Sequence, residues 1–150
     1  MLRRSLLALM LALAVTACGG GDDNNNPNQP STPPPQGPAN LVIEDGTIGT
    51  GAEATGGRLL TVAYYLYHYD PAGSGGRGQL IQGPQQFQFR QGTNGVITGF
   101  EQGTHGMLVG GIRRLTIPPS LAYGAAGNPN AGIVANEWIV FDVQLVAVAD

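Results

Sequence analysis

Glycines and turn residues recur so often beyond residue 90 that only one short helix fits there. Phe100 follows a glycine, Tyr123 precedes one, and Ile97 lies two residues from another. None of these large apolar residues belongs to a long helical repeat. The chain is therefore expected to fold mainly as strands, with its aromatic side chains lining a pocket suited to an apolar peptide segment.

The single helix is expected near Thr98 to His105. Thr98 and Glu101 have the S/T-x-x-E spacing of a capping box, in which two side chains bind free backbone N–H groups at a helix start. The helix is accordingly expected to begin just after Ile97.

Alternation and residue type predict the strands. Residues Leu59 to Tyr69 alternate and are rich in Val, Leu and Tyr, which is typical of a long strand. Asp70 to Gly76 has the composition of a turn. Further strands are expected at Gln86–Arg90, Gly111–Pro118 and Glu137–Val148. These elements predict an α+β fold, a curved antiparallel sheet wrapped around one short α-helix.

The N-terminus has the features of an export signal. A basic start at Met1–Arg4 precedes an apolar run, Leu6–Val15, that is too short to span a bilayer. Small residues directly before Cys18 resemble a bacterial lipoprotein signal, so residues 1–17 are expected to be removed and Cys18 lipidated. The alternative is an ordinary secretory signal that leaves a free thiol. Cys18 is the sole cysteine, which excludes an intrachain disulfide.

Residues 18–40 are expected to form a disordered tether. From Gly19 to Asn40 the chain is rich in Gly, Asn and Pro and has no large apolar side chain, so burial cannot offset the entropy of ordering it. The tether would hold a single domain, residues 41–150, away from the membrane. We expect the protein at the bacterial cell envelope, lipid-anchored, facing the periplasm or at the outer membrane.

Charge and histidine content limit the remaining function classes. The chain has seven basic and ten acidic residues, a formal net charge of −3. Removal of the signal takes away Arg3 and Arg4 and makes the charge more negative, which argues against nucleic acid as a partner. His68 and His105 lack a third ligand at suitable spacing, so we expect no metal site and no cofactor.

Several motifs in register resemble the FKBP-type peptidyl-prolyl isomerases over Leu41 to Ala147. They are Val62-Ala63-Tyr64, Phe87-Gln88-Phe89, Val96-Ile97, Ala122-Tyr123-Gly124 and the last-strand Phe141. The resemblance implies the sheet-and-helix fold expected above and catalysis of rotation about Xaa-Pro bonds. It also implies Tyr123 as a donor to a substrate carbonyl, the Ile97 backbone N–H as a second donor, and Phe100 as the pocket floor, usually a tryptophan. The complete implied pocket is Tyr64, Phe87, Val96, Ile97, Phe100, Tyr123, Ile133 and Phe141.

The chain departs from the family pattern at three places. Leu80-Ile81 stands where the family has a Phe-Asp pair that contacts substrate, and the segment from there to Phe87 is shorter. Ile133-Val134-Ala135 replaces Ile-Pro-Pro, and the preceding loop, residues 128–132, has one extra residue. The resemblance therefore implies a wider pocket that lacks its usual carboxylate.

Two function classes remain open at the level of sequence. One is a peptidyl-prolyl isomerase that acts on proline-containing peptides or unfolded exported proteins without a covalent intermediate. The other is a weakly catalytic or non-catalytic peptide-binding module that uses the same pocket. Under either, we expect a monomer that binds tacrolimus- or rapamycin-type ligands and associates with the membrane through its lipid.

Overall fold

The computed structural model describes residues 33–150. The predicted signal peptide, Cys18 and the tether up to residue 32 lie outside the described residues. The last part of the predicted tether contacts the domain. The Trp138 indole Nε1 donates a hydrogen bond to the Pro38 carbonyl oxygen at 2.9 Å, and a side chain at Gly37 would meet the same indole at 2.7 Å. Contacts of the domain thus begin before Leu41.

One five-stranded antiparallel sheet carries the fold, in the strand order β1-β4-β5-β2-β3. The elements are β1 Val42–Thr47, β2 Leu59–Tyr69, β3 Arg77–Arg90, helix α1 Thr98–Thr104, β4 Ile112–Ile117 and β5 Ile139–Ala149, with short 3-10 turns at Ser74–Gly76, Pro119–Leu121, Gly124–Ala126 and Pro129–Ala131. The predicted fold, an antiparallel sheet with one short helix, is confirmed. Within residues 33–150 no helix has the length and apolar character needed to span a bilayer.

The inner face of the sheet forms the core with α1. Alternate residues of β2, Leu60, Val62 and Leu66, are buried, and Leu115 and Ile117 of β4 are fully buried beside them. Since successive side chains of a strand point to opposite faces, this alternation gives β2 one inner and one outer face.

Helix α1 lies close against β4. A side chain at Gly103 would place its Cβ 2.5 Å from Leu115 Cδ1, so a glycine permits this approach. At the helix end, the Arg113 guanidinium donates hydrogen bonds to the carbonyl oxygens of Gly103 (2.9 Å) and His105 (3.1 Å). These bonds satisfy carbonyls that have no partner within the helix. The helix and the side chains it carries are thereby fixed to the sheet.

The helix begins where predicted, but the predicted capping box is wrong. Ile97 is the N-cap residue and makes no side-chain capping bond, while Thr98 is already helical. The Glu101 carboxylate instead accepts a hydrogen bond from the Gly92 N–H, in the preceding loop. Glu101 therefore ties that loop to the helix.

Candidate binding and catalytic site

A cavity of about 460 Å³ opens between the inner face of the sheet and the start of α1. Hereafter it is called the pocket. None of its lining side chains is acidic, basic or a histidine. The lining residues are Tyr64, Phe87, Asn94, Gly95, Val96, Ile97, Phe100, Tyr123 and Phe141.

Strand register brings three of the aromatic residues to the pocket. Tyr64 lies two residues from Val62 and Leu66, and it shares their inner face. Phe87 of β3 pairs with Val62, and Phe141 of β5 pairs with Leu66. Because directly paired residues share one face of a sheet, both phenylalanines point inward as well.

The floor of the pocket is a cluster of edge-to-face rings centred on Phe100. Its ring centroid lies 4.9 Å from that of Phe141, 5.6 Å from that of Phe89 and 6.2 Å from that of Tyr64. Phe100 is 4% exposed and Phe141 is 5% exposed. Each such aromatic pair contributes about 0.5–1.5 kcal/mol beyond its buried area. The floor is therefore apolar and closely packed, and little of it is exposed to solvent.

Tyr64 adds a polar group to one wall. Its hydroxyl donates a hydrogen bond to Gln82 Oε1 at 3.3 Å. Burial, with a smaller contribution from Tyr123, raises the pKa of the Tyr64 hydroxyl above its ordinary value. Tyr64 therefore stays protonated, and able to donate, throughout the neutral pH range.

Side-chain bonds hold the loop that forms the rim before α1. Gln91 Nε2 donates to the Glu101 carbonyl oxygen at 2.9 Å, and Gly92 binds the Glu101 carboxylate. Asn94 has a left-handed backbone (φ 55°), which asparagine tolerates better than most residues. This turn brings Asn94 and Gly95 to the edge of the pocket.

The structure brings most of the sequence-predicted site residues together. Those lining the pocket are Tyr64, Phe87, Val96, Ile97, Phe100, Tyr123 and Phe141. Ile133 is not among them, because it is 1% exposed and belongs to the core. Its N–H and carbonyl both bond Asn128 (3.0 and 2.8 Å), which closes the loop that follows Tyr123.

Leu80 and Ile81 also lie outside the pocket. The β2–β3 register shifts between Tyr64 and Leu66 and again between Leu66 and Tyr67, because β3 has extra residues there. Leu80 consequently pairs with Tyr67 on the outer face and is 48% exposed, whereas Ile81 packs partly buried against the core. Gln82 of the same segment does contact the pocket wall, because its side-chain oxygen accepts the hydrogen bond from the Tyr64 hydroxyl.

Sequence reasoning missed three residues of the site, Gln82, Asn94 and Gly95. The Asn94-Gly95 dipeptide is a turn signal that predicts a left-handed backbone, so it was a usable clue. Nothing comparable marks Gln82, whose position depends on the bulges of β3.

The pocket can bind and orient an apolar group but offers no acid–base machinery. The lining residues with polar side chains are Tyr64, Tyr123 and Asn94. Across residues 33–150, no cluster of three or more His, Cys, Asp or Glu residues is placed to hold a metal ion.

Comparison with known proteins relates this fold and pocket to one family. A family model described as FKBP-type peptidyl-prolyl cis-trans isomerase matches residues 51–146. The chain is 38% identical over 119 residues to the "Probable FK506-binding protein" of Corynebacterium glutamicum, which covers 75% of this chain and 92% of that protein. It is also 38% identical over 119 residues to "FK506-binding protein 4" of Mycosarcoma maydis, covering 74% and 28% of the two chains. Among solved structures, FkpA from Escherichia coli superposes with a TM-score of 0.61 at 33% identity, covering 73% of this chain and 48% of FkpA.

The match is confined to one domain in several larger relatives. The aligned part covers 28%, 21% and 23% of three of them, about a quarter of their length. The matched range, residues 51–146, nevertheless contains every residue that lines the pocket. The chain therefore belongs to the FKBP-type peptidyl-prolyl cis-trans isomerase family.

Proposed function

We propose that the protein accelerates cis–trans rotation about Xaa-Pro bonds in exported polypeptides. The observation that carries this proposal is the uncharged aromatic pocket, whose floor is closed by Phe100 and Phe141 and whose lining has no Asp, Glu, His, Lys, Arg, Ser, Thr or Cys side chain. Membership of the isomerase family supports it.

The mechanism follows from what opposes the rotation. Amide resonance gives a peptide bond a rotational barrier of about 18–20 kcal/mol, and uncatalysed exchange at proline takes tens to hundreds of seconds. The planar amide has more charge separation than the twisted one, so the planar form loses more on leaving water. An apolar pocket that receives the proline ring and its amide therefore favours the twisted state.

Fixed donors at the pocket orient the substrate. We assign the Tyr123 hydroxyl and the Ile97 backbone N–H to carbonyl oxygens that flank the rotating bond. Ile97 is held at the helix start, because its own carbonyl accepts the N–H groups of Phe100 (3.0 Å) and Glu101 (3.1 Å). Donors that are already in place need no reorganisation as the amide twists.

The same pocket is proposed to bind tacrolimus- or rapamycin-type macrolides, since relatives bear the name FK506-binding protein. No carboxylate lines it, and the β3 side chain that accepts the Tyr64 hydrogen bond at its wall is the neutral amide of Gln82. A buried ligand hydroxyl without a charged acceptor typically loses about 1–3 kcal/mol, a five- to more than hundredfold weakening. We therefore expect measurable but modest affinity.

A second candidate is a peptide-binding module with little catalysis. It is favoured by the phenylalanine floor in place of the family tryptophan and by the absence of an acidic side chain from the lining. Such a module would bind the same proline peptides without accelerating their exchange.

The envelope location and lipid anchor at Cys18 are also proposals, and rest on the sequence alone. Cys18→Ala is expected to leave the chain unprocessed or to release it from the membrane fraction. Mature mass and full membrane retention in that variant would refute the anchor. We further propose a monomer, which sedimentation analysis tests.

A protease-coupled assay on a short Xaa-Pro peptide decides between the two functions. The isomerase predicts a rate proportional to protein concentration and inhibited by tacrolimus. The binding module predicts no acceleration, with a peptide dissociation constant measurable by calorimetry.

A further inference from the structure

Strand β3 forms one edge of the sheet, and half of that edge is open and uncharged. In the order β1-β4-β5-β2-β3, β3 has a neighbour on one side only among the described residues. No charged residue occurs between Arg77 and Arg90, whereas the opposite edge strand, β1, carries Glu44 and Asp45 within six residues. Edge strands present unpaired backbone groups, and proteins commonly guard them with charges, prolines or bulges.

The features of β3 that would hinder the addition of another strand lie only in its first half. Its register irregularities and Pro84 fall before Gln85. From Gln85 to Arg90 the strand pairs with β2 without interruption. In this regular half, residues 85 to 88 are all exposed, and Phe89 alone is buried before the strand ends. A regularly paired, uncharged stretch of about five residues is therefore available to an added strand.

The open stretch is continuous with the pocket. Phe87 belongs to both, since it lines the pocket and is 41% exposed on the edge strand. A polypeptide with its proline in the pocket can therefore reach this edge with the residues on one side of the proline. At roughly 3.3 Å per residue, about five of its residues would span Gln85 to Phe89.

We propose that the free edge of β3, from Gln85 to Phe89, binds the extended residues that flank the proline of a client polypeptide, through backbone hydrogen bonds. This inference rests on the proposed function and names the substrate class: unfolded chain with uncharged residues on one side of the proline. Strand addition of this kind takes its affinity from the backbone and its selectivity from alternate side chains. Gln86 and Gln88 pair with Ala63 and Thr61 on the outer face, whereas Gln85 and Phe87 face the pocket side.

The test compares a four-residue Xaa-Pro peptide with versions extended by five uncharged residues on either side. One of the two extended peptides, the one whose extension lies along β3, is expected to have a higher kcat/KM than the short peptide with the full protein. N-methylation of single backbone nitrogens in that extension should reduce kcat/KM by about two- to tenfold at alternate positions only, because a paired strand donates from every second residue. Equal rates for all lengths, or no alternation, would overturn the proposal.

A pair of variants separates the edge from the rest of the sheet. Gln86 and Gln144 both pair with Ala63, on opposite sides of it, so they share the outer face; Gln86 is on the edge strand and Gln144 on central β5. Gln86→Lys should abolish the advantage of the extended peptide, and Gln144→Lys should keep it, while both act normally on the short peptide.

The outcomes distinguish this proposal from the one it rests on. If the unmutated protein does not accelerate isomerisation of the short peptide, the isomerase proposal is refuted, whatever the length dependence. A concentration-dependent dimer that Gln86→Lys dissolves would show that a second copy occupies the edge, and would overturn the client proposal.

Discussion

Phe100→Ala is expected to remove the pocket floor. Phe100 is 4% exposed and packs edge-to-face against Phe141, Phe89 and Tyr64. Burial of a large apolar side chain is worth about 1.5–3 kcal/mol, and a proline ring bound on this floor gains contact from the same surface. Loss of that contact in the transition state predicts a fall in kcat/KM of about ten- to hundredfold.

The same change costs stability, so it needs a control of equal size. Large-to-small replacements of buried phenylalanine cost about 3–5 kcal/mol, a large part of the stability of a domain this small. Phe89→Ala is the matched control. Phe89 is 5% exposed and packs against Phe100 at 5.6 Å, but it does not line the pocket.

Thermal melts of both variants fix a temperature at which both remain folded, and isomerisation is compared there. The pocket mechanism predicts a large loss for Phe100→Ala and a loss of a few-fold at most for Phe89→Ala. Equal losses in the two folded variants would refute the reasoning, because activity would then follow core integrity and not the floor of the pocket.

Three further predictions concern the pH dependence of the rate, the Tyr123 hydroxyl and the N-terminal boundary of the domain. The isomerisation rate should be nearly flat from about pH 6 to pH 8, since the lining has no Asp, Glu, His, Cys or Lys side chain to act as a general acid or base. Burial raises the pKa of the Tyr64 hydroxyl, so its contribution to the free energy of unfolding is full below the unfolded-state pKa and is lost as the pH rises through the folded-state pKa, which melts at alkaline pH measure. Tyr123→Phe should lower kcat/KM by only a few-fold, as it removes one donor and keeps the wall, and a hundredfold loss would assign the hydroxyl a larger role. A chain that begins at residue 41 should fold cooperatively yet melt a few degrees below one that begins at residue 33, because it lacks the hydrogen bond to Trp138, worth about 1 kcal/mol; equal melting temperatures would contradict that contact.

The elements predicted from the sequence are those with strong local patterns. Strand β2 was predicted with both ends correct, because alternation and β-branched or aromatic residues agree along its whole length. Strand β1 was missed, since it is an edge strand with five exposed residues of six and no alternation to detect. The first half of β3 was missed because bulges and Gly83-Pro84 break its period. Hydrophobic period reports burial, so elements at the edges of the sheet leave little trace.

The predicted pocket shows the same division. Residues on regular strands or next to the helix, such as Tyr64, Phe100 and Phe141, were placed by motifs in register and line the pocket. Leu80 and Ile81 were placed by counting along a segment of altered length, and two register shifts move them away from it. Spacing locates a residue only where the backbone between the motifs is regular.

Exchange NMR on a short Xaa-Pro peptide tests most directly whether the pocket catalyses the rotation. The cis and trans signals report exchange at equilibrium, without a coupled protease. The pocket mechanism predicts exchange much faster than the uncatalysed process, which takes about tens to hundreds of seconds, with the acceleration lost on addition of tacrolimus and strongly reduced in folded Phe100→Ala. Peptide signals that broaden or shift on binding while exchange between cis and trans stays at the uncatalysed rate would contradict it.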